Sequence, residues 1–210
     1  GDDASAQSLA NLADVYVNDP FGTAHRAHAS TTLVAHHYEP GDRMFGYLME
    51  AELKNASKVL NDAEKPLVAI LGGAKVSDKI GLLRQLLDLA DTIIVGGAMA
   101  FTFVKARGGE TGKSLVEEDK LDLANEIVGE AVAKGVQLLL PSDAVIADAF
   151  DANATTRTVP IDEIPEGWMG LDIGEASIND FSVAIGNART ILWNGPMGVF
   201  EMKPFAGGTL

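Results

Sequence analysis

The 210-residue chain contains no cysteine. That excludes a disulfide framework, a thiolate metal site and a thiol nucleophile. No apolar run approaches the ~18 residues of a transmembrane helix. Basic residues are scarce: 16 Lys and Arg stand against 30 Asp and Glu, for a net charge of −14. Such a surface repels nucleic acid and anionic membranes, so neither is expected as a partner. The acidic excess is spread along expected helices rather than gathered in one run, as solvated helix faces would have it. Several signatures are also missing. There is no G-x-x-x-x-G-K-[ST] loop, no G-x-G-x-x-G fingerprint, no H-E-x-x-H zinc motif and no G-x-S-x-G elbow. His25, His28, His36 and His37 lack metal-ligand spacing and read as surface or structural residues, so no metal ligand is assigned. The chain opens on Gly1 rather than Met and reads as cut from something longer.

What is present is 47% hydrophobic content, enough for a sizeable core in one or two domains. From residue 64 onward, strand-like apolar runs alternate with amphipathic helical patterns. Pro66–Leu71 is a continuous apolar run ended by glycine, as in a buried parallel strand. Ile80, Leu83, Leu86, Leu87 and Ala90 then recur at helical spacing. Further strands are expected at Thr92–Val95, Val136–Leu140, Ala144–Ala147 and Thr190–Trp193, and helices at Ala98–Lys105, Glu118–Lys134 and Asn179–Ala188. Phe150–Gly167, with two prolines and several Thr and Asp, reads as an irregular connection. This rhythm predicts an α/β fold, a doubly wound parallel sheet of Rossmann-like type with helices on both faces. Before residue 64 the pattern changes. Residues 1–42 read as the end of one domain, residues 43–63 as a linking segment whose helix is Met44–Leu60, and residues 64–210 as a second domain.

Three expected strands end in glycine loops: Gly72-Gly73, Gly96-Gly97 and Asn194-Gly-Pro-Met-Gly198. Ligands of such sheets sit beyond the strands' carboxyl ends, so the three loops point to one shared crevice. In the first, a buried strand leads through two glycines to Lys75 and then to an expected helix carrying Lys79. The glycines would let backbone N–H groups approach an anion, and the helix start would add free donors and a positive dipole end. Four residues apart, Lys75 and Lys79 would share one helical face. An ordinary tight turn with two solvated lysines fits the segment as well. Arg26 could grip a phosphate with its planar fork or pair with Asp14 or Asp19, and spacing favours the pair slightly. Glu201 could accept from a ribose or sit at a helix start. Trp168, Met169, Phe101 and Phe103 are core by default.

Five stretches carry a resemblance: Asp14–His28, Leu71–Ile80, Val95–Phe103, Gly167–Asp172 and Ile191–Glu201. In this order they closely resemble the phosphoglycerate kinase family, over essentially the whole chain but about the middle half of a family member. The resemblance implies a two-domain kinase architecture, of which part is present. The implied reaction is phosphoryl transfer between 1,3-bisphosphoglycerate and ADP, giving 3-phosphoglycerate and ATP, with Mg²⁺ carried as Mg·ADP or Mg·ATP. Arg26 would belong to the basic patch holding phosphoglycerate. Lys75 would stabilise the phosphoryl group in flight. Lys79 would contact the nucleotide phosphates, Gly73 and Ala74 would line their path, Gly170 would lie by the adenine and Glu201 would bind the ribose. Gly97, Asn194, Gly195 and Pro196 would complete the nucleotide pocket. Met44–Leu60 would be the helix between domains. A cytoplasmic monomer is implied.

The chain departs from the family pattern at Pro20 and Ala98, where the family usually has Ala and Gly. The late Gly-Gly-Asp-Thr segment and most of the substrate domain fall outside it, so the chain alone is expected to be inactive. A competing reading is a nicotinamide-dependent oxidoreductase domain, which the missing G-x-G-x-x-G argues against. A non-catalytic interaction module is permitted by the acidic surface, but no feature requires it.

Overall fold

A computed structural model describes residues 2–210. They form two compact units, divided between Asp62 and Ala63. In the first, helix α1 (Asp3–Ala10) is capped by Asp2, whose carboxylate accepts from the amides of Ala4 and Ser5 at 3.3 and 3.2 Å. Strands β1 (Tyr16–Asn18) and β2 (Arg43–Phe45) pair in parallel, and helix α2 (Tyr47–Asn61) follows. A small core of Ala6, Ala10 and Val34 is lined by the stacked rings of Tyr16 and Tyr38. The helix expected from Met44 starts at Tyr47 because Met44 is taken up by the strand pairing.

The second unit runs β3 (Leu67–Leu71), α3 (Ile80–Leu86), β4 (Thr92–Val95), α4 (Met99–Ala106), β5 (Glu110–Thr111), α5 (Leu121–Lys134), β6 (Gln137–Leu139), β7 (Asp143–Ala147), β8 (Thr156–Pro160), β9 (Glu163–Ile164), β10 (Met169–Ile173), α6 (Glu175–Gly186) and β11 (Thr190–Asn194). Its main sheet has the order β11-β3-β4-β6, parallel throughout. The apolar run is thus an interior strand: every residue of β3 is buried. Alternate residues serve opposite faces, as the period of two requires. Val68, Ile70 and Ile94 pack with Phe181 of α6, while Leu67, Ala69, Leu71, Ile93 and Val95 of the other face are buried too. Burial on both faces is what a doubly wound sheet requires.

Two expectations need correction. Residues 150–167 are not wholly irregular, since they contain β8 and β9. The strand expected at Ala144–Ala147 is β7, which joins a separate antiparallel sheet of order β10-β7-β8 instead of extending the parallel one. Short apolar alternation identifies a strand but not its partner.

Candidate functional site

The strand order places the site. From β3 the chain moves outward to β4 and β6, and then returns by α6 to lay β11 on the other side of β3. The switch point therefore lies between β3 and β11, and a crevice opens there beyond the strands' carboxyl ends. The loops that meet at it are the glycine loops after β3, β4 and β11.

They meet backbone to backbone. Gly72 and Gly73 donate their amides to the carbonyls of Asn194 and Pro196 at 3.0 and 3.1 Å. Gly97 donates to Met197 at 3.0 Å, and Met99 donates back to Gly73 at 3.0 Å. Such approach needs residues without a Cβ. Gly97 sits in the left-handed region (φ +66°), and a Cβ there would come within 2.5 Å of both the amide nitrogen and the carbonyl oxygen of Gly73. This revises the sequence reading: the Gly72 and Gly73 amides are spent locking the loops and are not free for an anion. Among the described residues, the amides of Ala74, Lys75 and Ala98 have no backbone acceptor. A second revision concerns the lysines. Helix α3 begins only at Ile80, so Lys75 and Lys79 stand on an irregular loop and share no helical face. Lys75 is exposed. Lys79 is half-buried, and its ammonium meets Asn194 Oδ1 across the switch point.

A cavity of about 430 Å³ lies against these loops. Of the residues singled out from sequence, Gly73, Ala74, Gly97, Gly170, Pro196 and Glu201 line it. Lys75, Lys79, Asn194 and Gly195 belong to the adjoining loops but not to its wall. Its lining is mostly apolar, with Phe101, Leu115, Met169 and Val199 among its members. Gly170 is where the ring of Phe101 presses against the β10 backbone, leaving no room for a side chain. Arg26 stands in the first unit. Its Nε–H faces His25 Nε2 at 3.1 Å, and the expected pairing with Asp14 or Asp19 is not formed; Asp19 instead accepts from the Met49 amide at 2.9 Å.

Among the wall residues, Lys113 and Asp172 were given no role from sequence, and Phe101 was read only as core. Phe101 is both core and wall. Lys113 is the one cation among the lining residues. Asp172 is 4% exposed, with its carboxylate accepting from the amides of Ile173 and Gly208 at 2.9 Å each. Burial pushes its carboxyl above the ordinary value, against the pull of the N–H donors of Gly208, Ile173 and Gly207. A lone acid inside the apolar strand Met169–Ile173 was a signal available in the sequence. No group of three or more His, Asp or Glu among the described residues is placed to hold a metal. Among the described residues, no helix is long and apolar enough to cross a membrane.

The model of the phosphoglycerate kinase family matches residues 1–210. A phosphoglycerate kinase of Acaryochloris marina is 57% identical over 204 residues, covering 97% of this chain and 50% of its own length. A cytosolic phosphoglycerate kinase of Nicotiana tabacum is 55% identical with the same coverage. The solved phosphoglycerate kinase of Coxiella burnetii superimposes with a TM-score of 0.85 at 41% identity, over 100% of this chain and 54% of that one. The chain thus spans about half the length of the curated relatives it matches. The nicotinamide-dependent alternative finds no support among these relatives.

Proposed function

Because the chain belongs to the phosphoglycerate kinase family, we propose that it carries the nucleotide half of an enzyme moving a phosphoryl group between 1,3-bisphosphoglycerate and ADP, to give 3-phosphoglycerate and ATP. The observation that carries the reading is the interlocking of three strand-end glycine loops at the switch point. It sets an apolar cavity beside two lysines. The cavity suits a purine, with Gly170 and Phe101 on one wall and Glu201 at the rim for a ribose hydroxyl. The lysine loop suits the phosphates. Phosphoryl transfer demands positioning and positive charge on the equatorial oxygens more than covalent help. Lys75, exposed and unencumbered by an ion pair among the described residues, is proposed to meet the phosphoryl group in transit. Lys79 is proposed to exchange its contact with Asn194 for the nucleotide phosphates. Gly73, Ala74, Gly97, Asn194, Gly195 and Pro196 complete the pocket on this reading, and Arg26 is assigned to the phosphoglycerate. Magnesium enters as part of the substrate, Mg·ADP or Mg·ATP, riding on phosphate oxygens as that ion commonly does. A cytoplasmic monomer is the setting proposed, supported as to compartment by the tobacco relative's description as cytosolic.

The test is calorimetric titration of Mg·ADP into this polypeptide. Wild type is expected to bind, and Lys79→Ala to bind about tenfold more weakly, the scale of one lost charge-assisted hydrogen bond. Equal binding by Lys79→Ala, or preference for NADH over ADP, would overturn the reading.

A further inference from the structure

The loop that carries both lysines is held by a carboxylate from a distant part of the chain. Residues 74–79 form no regular structure, and Ala74, Lys75 and Asp78 are exposed. Long lysine side chains on a free loop would lose much conformational freedom when a ligand ordered them. Two contacts fix the middle of this loop. The Val76 side chain is fully buried. The next residue, Ser77, is gripped twice by Glu117: its amide donates to Oε2 at 3.0 Å and its hydroxyl to Oε1 at 2.5 Å. Glu117 is anchored in turn, since its own amide donates to Thr102 Oγ1 at 3.1 Å. Thr102 is 1% exposed within α4, the helix that starts at the Gly97 loop. The amide of Lys79 then returns to the Val76 carbonyl at 2.9 Å, closing a turn around the held serine.

We propose that Glu117 is a positioning residue for phosphate binding: through Ser77 it fixes the backbone from which Lys75 and Lys79 project, with Thr102 of α4 as its footing. The role rests on the nucleotide reading above. Glu117 touches no ligand itself. It removes the ordering cost of the loop before the nucleotide arrives, so its contribution falls on the phosphates and not on the base.

That division makes the role testable with two ligands, Mg·ADP and adenosine, titrated into the whole polypeptide. Glu117→Ala is expected to weaken Mg·ADP about tenfold and leave adenosine unchanged. Glu117→Gln is expected to recover most of the affinity, because its amide oxygen can accept the Ser77 amide and its NH₂ can face the hydroxyl. Ser77→Ala, which loses the hydroxyl contact but keeps the amide one, is expected to weaken Mg·ADP by less, and the double variant Ser77→Ala/Glu117→Ala to be no weaker than Glu117→Ala alone, because the hydroxyl acts only through Glu117. Wild-type affinity for Mg·ADP in Glu117→Ala, or an equal loss for adenosine, would overturn the role while leaving the nucleotide reading intact. A wild-type chain that binds no Mg·ADP would overturn both. Should Glu117→Ala not fold by circular dichroism, unchanged Mg·ADP affinity in the double variant Ser77→Ala/Thr102→Val, which removes the hydroxyl contact and the Thr102 anchor of Glu117 together, would refute the role by itself.

Discussion

Replacing Gly97 by alanine tests whether the site depends on three loops locked backbone to backbone. The conformation at Gly97 (φ +66°) costs an L-residue about 1 kcal/mol. The new Cβ would also lie 2.5 Å from both polar backbone atoms of Gly73, a distance that cannot be tolerated. The loops must part, and the hydrogen bonds Gly97–Met197 and Met99–Gly73, each 3.0 Å, go with them. At about 1 kcal/mol per bond the total is about 3 kcal/mol. Gly108→Ala is the control. Its φ is also positive, at +86°, but nothing lies within 4 Å of the added Cβ, so only the conformational cost of about 1 kcal/mol remains. Both tryptophans, Trp168 and Trp193, belong to the second unit, so their fluorescence reports its unfolding in urea without contribution from the first. With a slope of about 2 kcal/mol per M, the midpoint should fall by about 1.5 M for Gly97→Ala and about 0.5 M for Gly108→Ala. Equal shifts in the two variants would refute the locked arrangement.

Two further outcomes follow from particular residues. Gly129 lies inside α5 with nothing within 4 Å of an added Cβ, so Gly129→Ala should raise the same urea midpoint, by the helix-propensity difference of about 0.8 kcal/mol. Burial pushes the Glu117 carboxyl up, but hydrogen bonds from the Ser77 hydroxyl and amide and the Val76 amide outweigh it and hold the group below its ordinary 4.5. Its contribution to stability is then fully present above pH 4.5 and lost as pH falls through the lower folded value. The gap in urea midpoint between wild type and Glu117→Gln should narrow as pH drops below 4.5, and a gap that widens there would contradict the assignment.

The sites of these substitutions were not equally visible in the chain. The glycine loops were, because turn chemistry is local: a buried apolar run followed by paired glycines announces a strand end whatever lies around it. The same holds for the alternation of strands and helices that predicted a doubly wound sheet, and for Phe101 and Phe103 as core, at 4% and 1% exposure. The lysines were visible as charges, but their setting was not. Helical spacing from Lys75 to Lys79 suggested one face of one helix, whereas Ser77 held by Glu117 and Val76 buried beneath the loop delay the helix to Ile80. Local propensity lost there to tertiary contacts.

The sequence by itself determined most strands and helices of the second unit, the parallel character of its main sheet, the family and the glycine loops at the strand ends. Each of these rests on patterns of period two or 3.6, or on short motifs, which are complete within a few residues. The tertiary structure decided which groups meet. It paired Lys79 with Asn194 over 115 positions and Ser77 with Glu117 over 40. It sent β7 to an antiparallel sheet and spent the Gly72 and Gly73 amides on β11's loop. No window of sequence contains both members of such a pair. Their meeting depends on the order in which strands are laid into the sheet, and that order is set by the burial of the whole core.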